Sequence, residues 1–179
     1  MQGTDFLFNH EHNDMIRSDY RPDPYKVTEA DLYINLDDTN TRVRNRMVIA
    51  GNPKAKIAGG PLVLNGEDMN LVSVRIKKNG KWRDLDRAEY RIDDKQLIIN
   101  NPSSHFQGAN FELEVVNEIN PETNTKLSGL YKTGDIIGSQ NESQGFRRIS
   151  YFLDRPDNLA KIKTTLEADK QKYPVLISN

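Results

Sequence analysis

Apolar and polar residues alternate with a period of two along most of the chain from Tyr25 onward. Ala30, Leu32, Ile34 and Leu36 alternate with mostly polar neighbours, and Val43, Met47 and Ile49 recur between arginines. Successive side chains of a strand point to opposite faces, so this pattern predicts half-buried β-strands. In LVSVRIKKNGKW, Val72, Val74 and Ile76 are expected to share one face ahead of Asn79-Gly80, a dipeptide that tolerates the positive φ of a tight hairpin turn. YRIDDKQLII repeats the arrangement around Asp93-Asp94, and FELEVV alternates Phe111, Leu113 and Val115 with glutamates. RRISYFL, KIKTTLEA and YPVLIS predict further strands.

No stretch of twelve residues carries a helical apolar period, the nearest being a single turn at Pro156 to Lys161 with proline at an opening position. The expected fold is therefore all-β, with at most one or two short helical turns. Eight or more strands with turns at short intervals suit a sandwich, a barrel or a curved sheet. Ahead of the strands, residues 1–17 are polar and unpatterned and are expected to be a mobile or artificially added leader, leaving 18–179 as one domain.

Composition narrows the function classes. Lysine plus arginine (25) nearly cancels aspartate plus glutamate (26), so neither nucleic acid nor an anionic membrane surface is an expected partner. There is no cysteine, which removes disulfides and thiolate metal sites. MQGTDFLFNHEHND lacks the basic flank and apolar run of a secretory signal, and no apolar stretch approaches the ~20 residues of a membrane span, so a cytoplasmic location is expected.

The chemistry-bearing residues are few. His10-Glu11-His12 lies in the unpatterned leader, without the supporting groups that orient metal ligands, and His105 after NPSS reads as a loop histidine. Arg42, Arg44 and Arg46 alternate along one strand, as a solvated sheet face with cross-strand ion pairs requires, and Trp82 reads as packing against its hairpin. GSQNESQGF differs in kind, with six polar residues between glycines at 138 and 145. If residues 139–143 are extended, Gln140 and Glu142 project to one side while Asn141 and Ser143 point to the other. On composition alone this loop is either solvated or one wall of a ligand site.

Longer stretches add to that reading. DYRPDPYKVTEADLYINLD (19–37), LVLNGEDMNLVSVRI (62–76) and the run from NPETNTKLSGLY through GFRRISYFLDRPD to ADKQKYPVLISN (120–179) occur in order. Together they closely resemble the N-terminal domain of bacterial M1-family zinc aminopeptidases of the aminopeptidase N type. The resemblance implies a saddle-shaped β domain that precedes a thermolysin-like catalytic domain of the same polypeptide, so that this chain is a fragment. Neither HExxH nor Gly-x-Met-Glu-Asn is present in the sequence, and the resemblance accordingly implies that zinc and the catalytic groups lie outside these 179 residues and that the isolated chain is inactive.

The family takes one piece of its active site from this domain, a Gln-x-Glu segment just before the Gly-Phe-Arg stretch. Gln140 and Glu142 match it residue by residue. The resemblance thus implies that they bind the free α-amine of a peptide substrate and line the first specificity pocket. Asn141 stands where many relatives have cysteine, and Gly138 occupies another such position; both departures spare the amide and the acid. A non-catalytic interaction module and an epoxide-hydrolysing relative are the competing readings.

Overall fold

The computed structural model describes residues 20–55 and 59–178. Residues 1–17, with His10, Glu11 and His12, therefore lie outside the described residues. Eleven strands make up the described fold: β1 (Tyr25–Leu36), β2 (Thr41–Gly51), β3 (Leu62–Asn65), β4 (Asn70–Lys78), β5 (Lys81–Asp84), β6 (Tyr90–Ile92), β7 (Gln96–Ile99), β8 (Asn110–Ile119), β9 (Gly129–Thr133), β10 (Ile136–Gln140) and β11 (Lys161–Ala168). Two 3-10 turns, Pro102–His105 and Phe146–Arg148, are its only helical elements among the described residues. The fold is all-β and sandwich-like.

Six strands form the main sheet in the order β11-β1-β2-β8-β4-β5, antiparallel except where β11 runs parallel to β1. Its inner face follows directly from the alternation in β2, where every second residue from Thr41 to Ile49 is buried. A three-stranded sheet, β3-β7-β6, covers one part of that face and the β9-β10 hairpin covers another. The first joins Met47, Ile49, Leu113 and Val115 to Leu62, Leu64, Leu97 and Ile99 in one apolar cluster. The second gathers Leu32, Ile34, Val43 and Ile119 with Leu130 and Ile149 in another. Each fully buried aliphatic side chain contributes about 1.5–3 kcal/mol, which is why the two covers stay down.

The outer face is charged and cross-linked. Arg46 and Arg75 both reach the Glu114 carboxylate, at 2.6 and 3.0 Å, Lys77 meets Glu112 at 2.8 Å and Arg42 meets Glu118 at 3.3 Å. Arg44 lies over the Tyr33 ring, and Trp82 sits beneath Arg46 and Lys77 as their cation-π partner. The arginine row and the tryptophan thus serve the sheet itself.

Several expected elements take another form. The Asn79-Gly80 turn joins β4 to β5 with φ of 52° and 76°, the pair of positive angles that a type I′ hairpin needs. However, Val72 does not share a face with Val74 and Ile76. A bulge between Leu71 and Ser73 lets Leu71 pack on the core and leaves Val72 exposed. RRISYFL is a 3-10 turn followed by an irregular buried segment that forms no strand; among the described residues its backbone makes one isolated β-bridge, Asn65–Phe152. Around Pro156 there is a β-turn, closed by Asn158 N–H to Arg155 O, instead of a helical turn.

YPVLIS forms no strand either. Pro174 has no N–H to offer a ladder, and Tyr173 is held by its hydroxyl, which donates to Asp38. Asp38 also receives Lys132 at 2.6 Å and Lys172 at 2.7 Å, and these three hydrogen bonds hold its carboxyl well below the usual carboxylate range. The chain after β11 is thereby tied to the β1–β2 turn, while Val175 and Ile177 remain exposed.

Candidate functional site

The β9-β10 hairpin ends with Gln140 opposite Gly129, and the loop that follows turns back at once. Gly145 N–H donates to Asn141 O at 2.8 Å, closing residues 141–145 into a compact turn. A methyl group at Gly145 would meet Gln140 O at 2.5 Å, Asn141 Cα at 2.7 Å and Ser128 Oγ at 2.9 Å, so only glycine permits this return. Gly129 is constrained twice over. Its φ is +74°, and a Cβ there would come within 2.5 Å of Arg148 Cβ. The glycine at 138 has open space beside it, so of the two glycines that flank the polar run only Gly145 is a close-approach residue.

The base beneath the loop is tightly held. Asn124 donates its side-chain amide to Ser128 O and Leu130 O, both at 2.8 Å, which fixes the entry to β9. Beyond the loop, Phe146 packs on Phe152 with ring centroids 4.6 Å apart. Arg147 binds Asp154 at 2.9 Å, and Arg148 is paired with both Glu67 and Asp68. These contacts use strong charge-assisted bonds to fasten the segment that leaves the loop.

On this base, residues 139–144 are all exposed. Gln140 and Glu142 have no side-chain hydrogen bond or ion pair among the described residues. They are two residues apart, as the sequence requires, but the extended run that would point both the same way stops at Gln140. Glu142 is part of the turn 142–145, and its peptide bond to Ser143 is cis. Ser139 and Asn141 border an apolar groove lined by Leu32, Ile34, Ile137 and Leu166. The local arrangement thus offers an acceptor-only carboxylate and an amide, neither engaged by the protein, on a loop whose ends cannot move freely.

A zinc site is not formed by the described residues, among which no group of three or more histidine, cysteine, aspartate or glutamate side chains converges. His105, the one histidine among them and expected in a loop, ends the first 3-10 turn in the connection between β7 and β8 and is buried against Phe111 at a centroid distance of 6.0 Å. Burial pushes its pKa down, only partly offset by Glu89 at 4.0 Å. No helix among the described residues is long and apolar enough to cross a membrane.

Two features escaped the periodicity. A glycine at 145 allows either a turn or a close approach, and its particular partners, Gln140 O and Asn141 Cα, have no signature in one sequence. Asn45 and Asn117 occupy core-facing positions that the alternation assigns to apolar side chains, and each is 0% exposed. The polar break in β2, between Val43 and Met47, is the signal that marks one of them.

A β domain with two small sheets laid on one large sheet, and a polar loop clamped at its margin, defines the class to which this chain belongs: it is a member of the Peptidase M1 N-terminal domain family, matched over residues 21–179. Among curated proteins it is 40% identical to aminopeptidase N of Escherichia coli (strain K12) over 163 residues, covering 91% of this chain and 17% of that protein. Aminopeptidase N of Caulobacter vibrioides is 38% identical over 165 residues, covering 90% and 17%. Among solved structures, Legionella pneumophila aminopeptidase A in complex with aspartic acid superposes with a TM-score of 0.79 at 37% identity, covering 90% of this chain and 18% of that one. An M1 zinc metallopeptidase from Deinococcus radiodurans shares the fold, with a TM-score of 0.63 at 13% identity over 83% of this chain and 33% of that one. The chain therefore spans about a sixth of the length of these curated relatives.

Proposed function

We propose that this domain anchors the substrate of a zinc aminopeptidase, with the catalytic domain supplied by the same polypeptide, and that Gln140 and Glu142 bind the free α-amine and line the first specificity pocket. The observation that carries the reading is the unengaged state of this amide and acid on a loop with a fastened base. A peptide α-amine has a pKa near ~8 and is largely an ammonium at neutral pH. A carboxylate facing it discriminates an N-terminus from an interior amide, which has no charge and one hydrogen. Such a charged hydrogen bond contributes about 1.5–3 kcal/mol. Once a second domain closes over the loop, the pair is desolvated and the discrimination grows.

Zinc would be held by residues outside those described here, and it would supply Lewis-acid chemistry at the scissile carbonyl. The described residues bind and orient the amine end only, so the domain alone is expected to be inactive. In the same reading the protein acts on peptide N-termini in the cytoplasm and contributes to peptide catabolism.

The test is Glu142→Gln in the longer polypeptide. Breaking one member of a desolvated charged pair costs on the order of 2–5 kcal/mol, roughly 30-fold to several thousandfold in kcat/KM for an unblocked dipeptide. Zinc content should not change. Gln140→Ala should cost less, as a neutral hydrogen bond contributes about 0.5–1.5 kcal/mol, and should alter the preference for the first residue of the substrate. Wild-type kcat/KM in zinc-replete Glu142→Gln would remove the amine-anchor role.

A further inference from the structure

Between the two apolar clusters runs a belt of polar side chains. Asn45 in β2 and Asn117 in β8 both face inward, and the register that pairs Asn45 with Val115 and Val43 with Asn117 makes them diagonal neighbours across the two strands, a relation that sets backbones about 7–8 Å apart. Each amide spends its N–H₂ group on the irregular segment that crosses the belt. Asn117 donates to Ile149 O at 2.9 Å and Asn45 donates to Tyr151 O at 3.3 Å. The two carbonyls flank Ser150, which is itself 0% exposed.

Three buried atoms in this belt have no protein partner: Asn45 Oδ1, Asn117 Oδ1 and Ser150 Oγ. Flipping either amide would not help, because its nitrogen is needed by the carbonyl it already serves. The belt therefore has two acceptors without donors and one hydroxyl whose hydrogen has no acceptor. Ser150 has a single hydrogen and would satisfy at most one of the two amide oxygens.

We propose that a single internal water molecule is bound among Asn45, Asn117 and Ser150, donating its two hydrogens to the amide oxygens and accepting the serine hydroxyl. One water supplies a partner to each of the three unpartnered oxygens. Internal waters make about three hydrogen bonds to otherwise unsatisfied buried groups, the number available here. A bridging water spans two oxygens up to about twice 2.8 Å apart, and the two asparagines hold diagonal positions on paired strands and serve carbonyls two residues apart.

A metal cation is the other occupant that oxygen atoms attract, and the surroundings argue against it. All three oxygens are neutral, and the acids along β8 beside the belt, Glu114 and Glu118, alternate onto the other side of the sheet, where Arg46 and Arg75 hold the first and Arg42 holds the second. A cation would be buried without a counter-charge. The bound water has a structural consequence. Residues 149–151 follow directly on the 3-10 turn at the end of the 141–145 loop, so the water fixes onto β2 and β8 the segment from which that loop is hung.

The water site is independent of what the loop binds. A crystal structure of the 179-residue chain that resolves ordered solvent should show one peak within about 2.6–3.2 Å of all three oxygens. In solution, the side-chain amide hydrogens of Asn45 and Asn117 should give cross-peaks to a long-lived water in water-selective nuclear Overhauser spectra. Solvent-free density at the belt, a peak bonded to fewer than all three groups, a peak with the short contacts of a metal ion, or absence of both cross-peaks would overturn the proposal.

Discussion

Replacing Gly145 by alanine sets two physical effects of opposite sign against each other. The residue has φ −84° and ψ −17°, an ordinary right-handed conformation that alanine adopts without strain. By backbone entropy alone the substitution should stabilise by about 0.4–1 kcal/mol, because alanine loses less freedom on folding. Sterically, however, the new methyl would lie 2.5 Å from Gln140 O and 2.7 Å from Asn141 Cα. Those are backbone atoms of the strand end and its turn, and they cannot rotate aside as a long side chain would. Overpacking of this kind costs about 1–3 kcal/mol, and relief by opening the turn sacrifices the Gly145 N–H to Asn141 O bond, worth about 1 kcal/mol more. The steric effect wins. Gly145→Ala is therefore expected to lower unfolding free energy by about 1–3 kcal/mol in urea titrations at constant m. Gly138→Ala is the control. It has no neighbour within 4 Å of the added carbon and lies inside β10, so it should be neutral or stabilising by up to about 1 kcal/mol. Equal effects of the two substitutions, or a stabilised Gly145→Ala, would refute the close-approach argument.

Asp38 and His105 yield two predictions with pH as the variable. The three donors on Asp38 depress its folded pKa, so its contribution is present above the ordinary value of 3.8 and is lost as pH falls below it; Asp38→Asn should flatten acid unfolding monitored by circular dichroism in that window. Tyr173, pushed up to about 12 by burial and by its bond to Asp38, should ionise at lower pH in the same variant, read by tyrosinate absorbance. His105 is shifted the other way for its type: burial favours the neutral ring, so stability is complete above 6.5 and falls as pH drops below that value, while the unfolded chain takes up the proton. Its imidazole shift, followed by nuclear magnetic resonance, should titrate below 6.5, and a midpoint at or above 6.5 would contradict its placement.

How far the sequence revealed this fold depends on the distance over which each segment finds its partners. In β2, alternation alone decides the buried face, and an Asn-Gly turn between alternating strands defines a hairpin through two residues' φ angles. Those are local facts. The segment Ile149–Leu153 is as apolar as a strand and as well buried, yet Ile149 and Tyr151 give their carbonyls to side chains instead of a neighbouring backbone. The donors come from 32 and 106 residues away, and no local pattern reports them. The bulge at Val72 has the same origin, since it is set by how β4 must lie on β8.

For the candidate site, the contrast is sharper. Gln140 and Glu142 stand out by the polar run that holds them and by their resemblance to a family segment, and the condition under which they would share a face, an extended 139–143, is not met once the chain turns after Gln140. What presents them is Gly145 folding onto Gln140, Gly129 pressed against Arg148, and a segment behind them fastened by amides from the main sheet. An unengaged acid is easy to place on a surface; one that serves as the amine anchor proposed for Glu142 needs its backbone held. The polar belt inside the core therefore belongs to the same problem as the polar loop outside it, because the chain that passes between Asn45 and Asn117 is the chain that returns from Glu142.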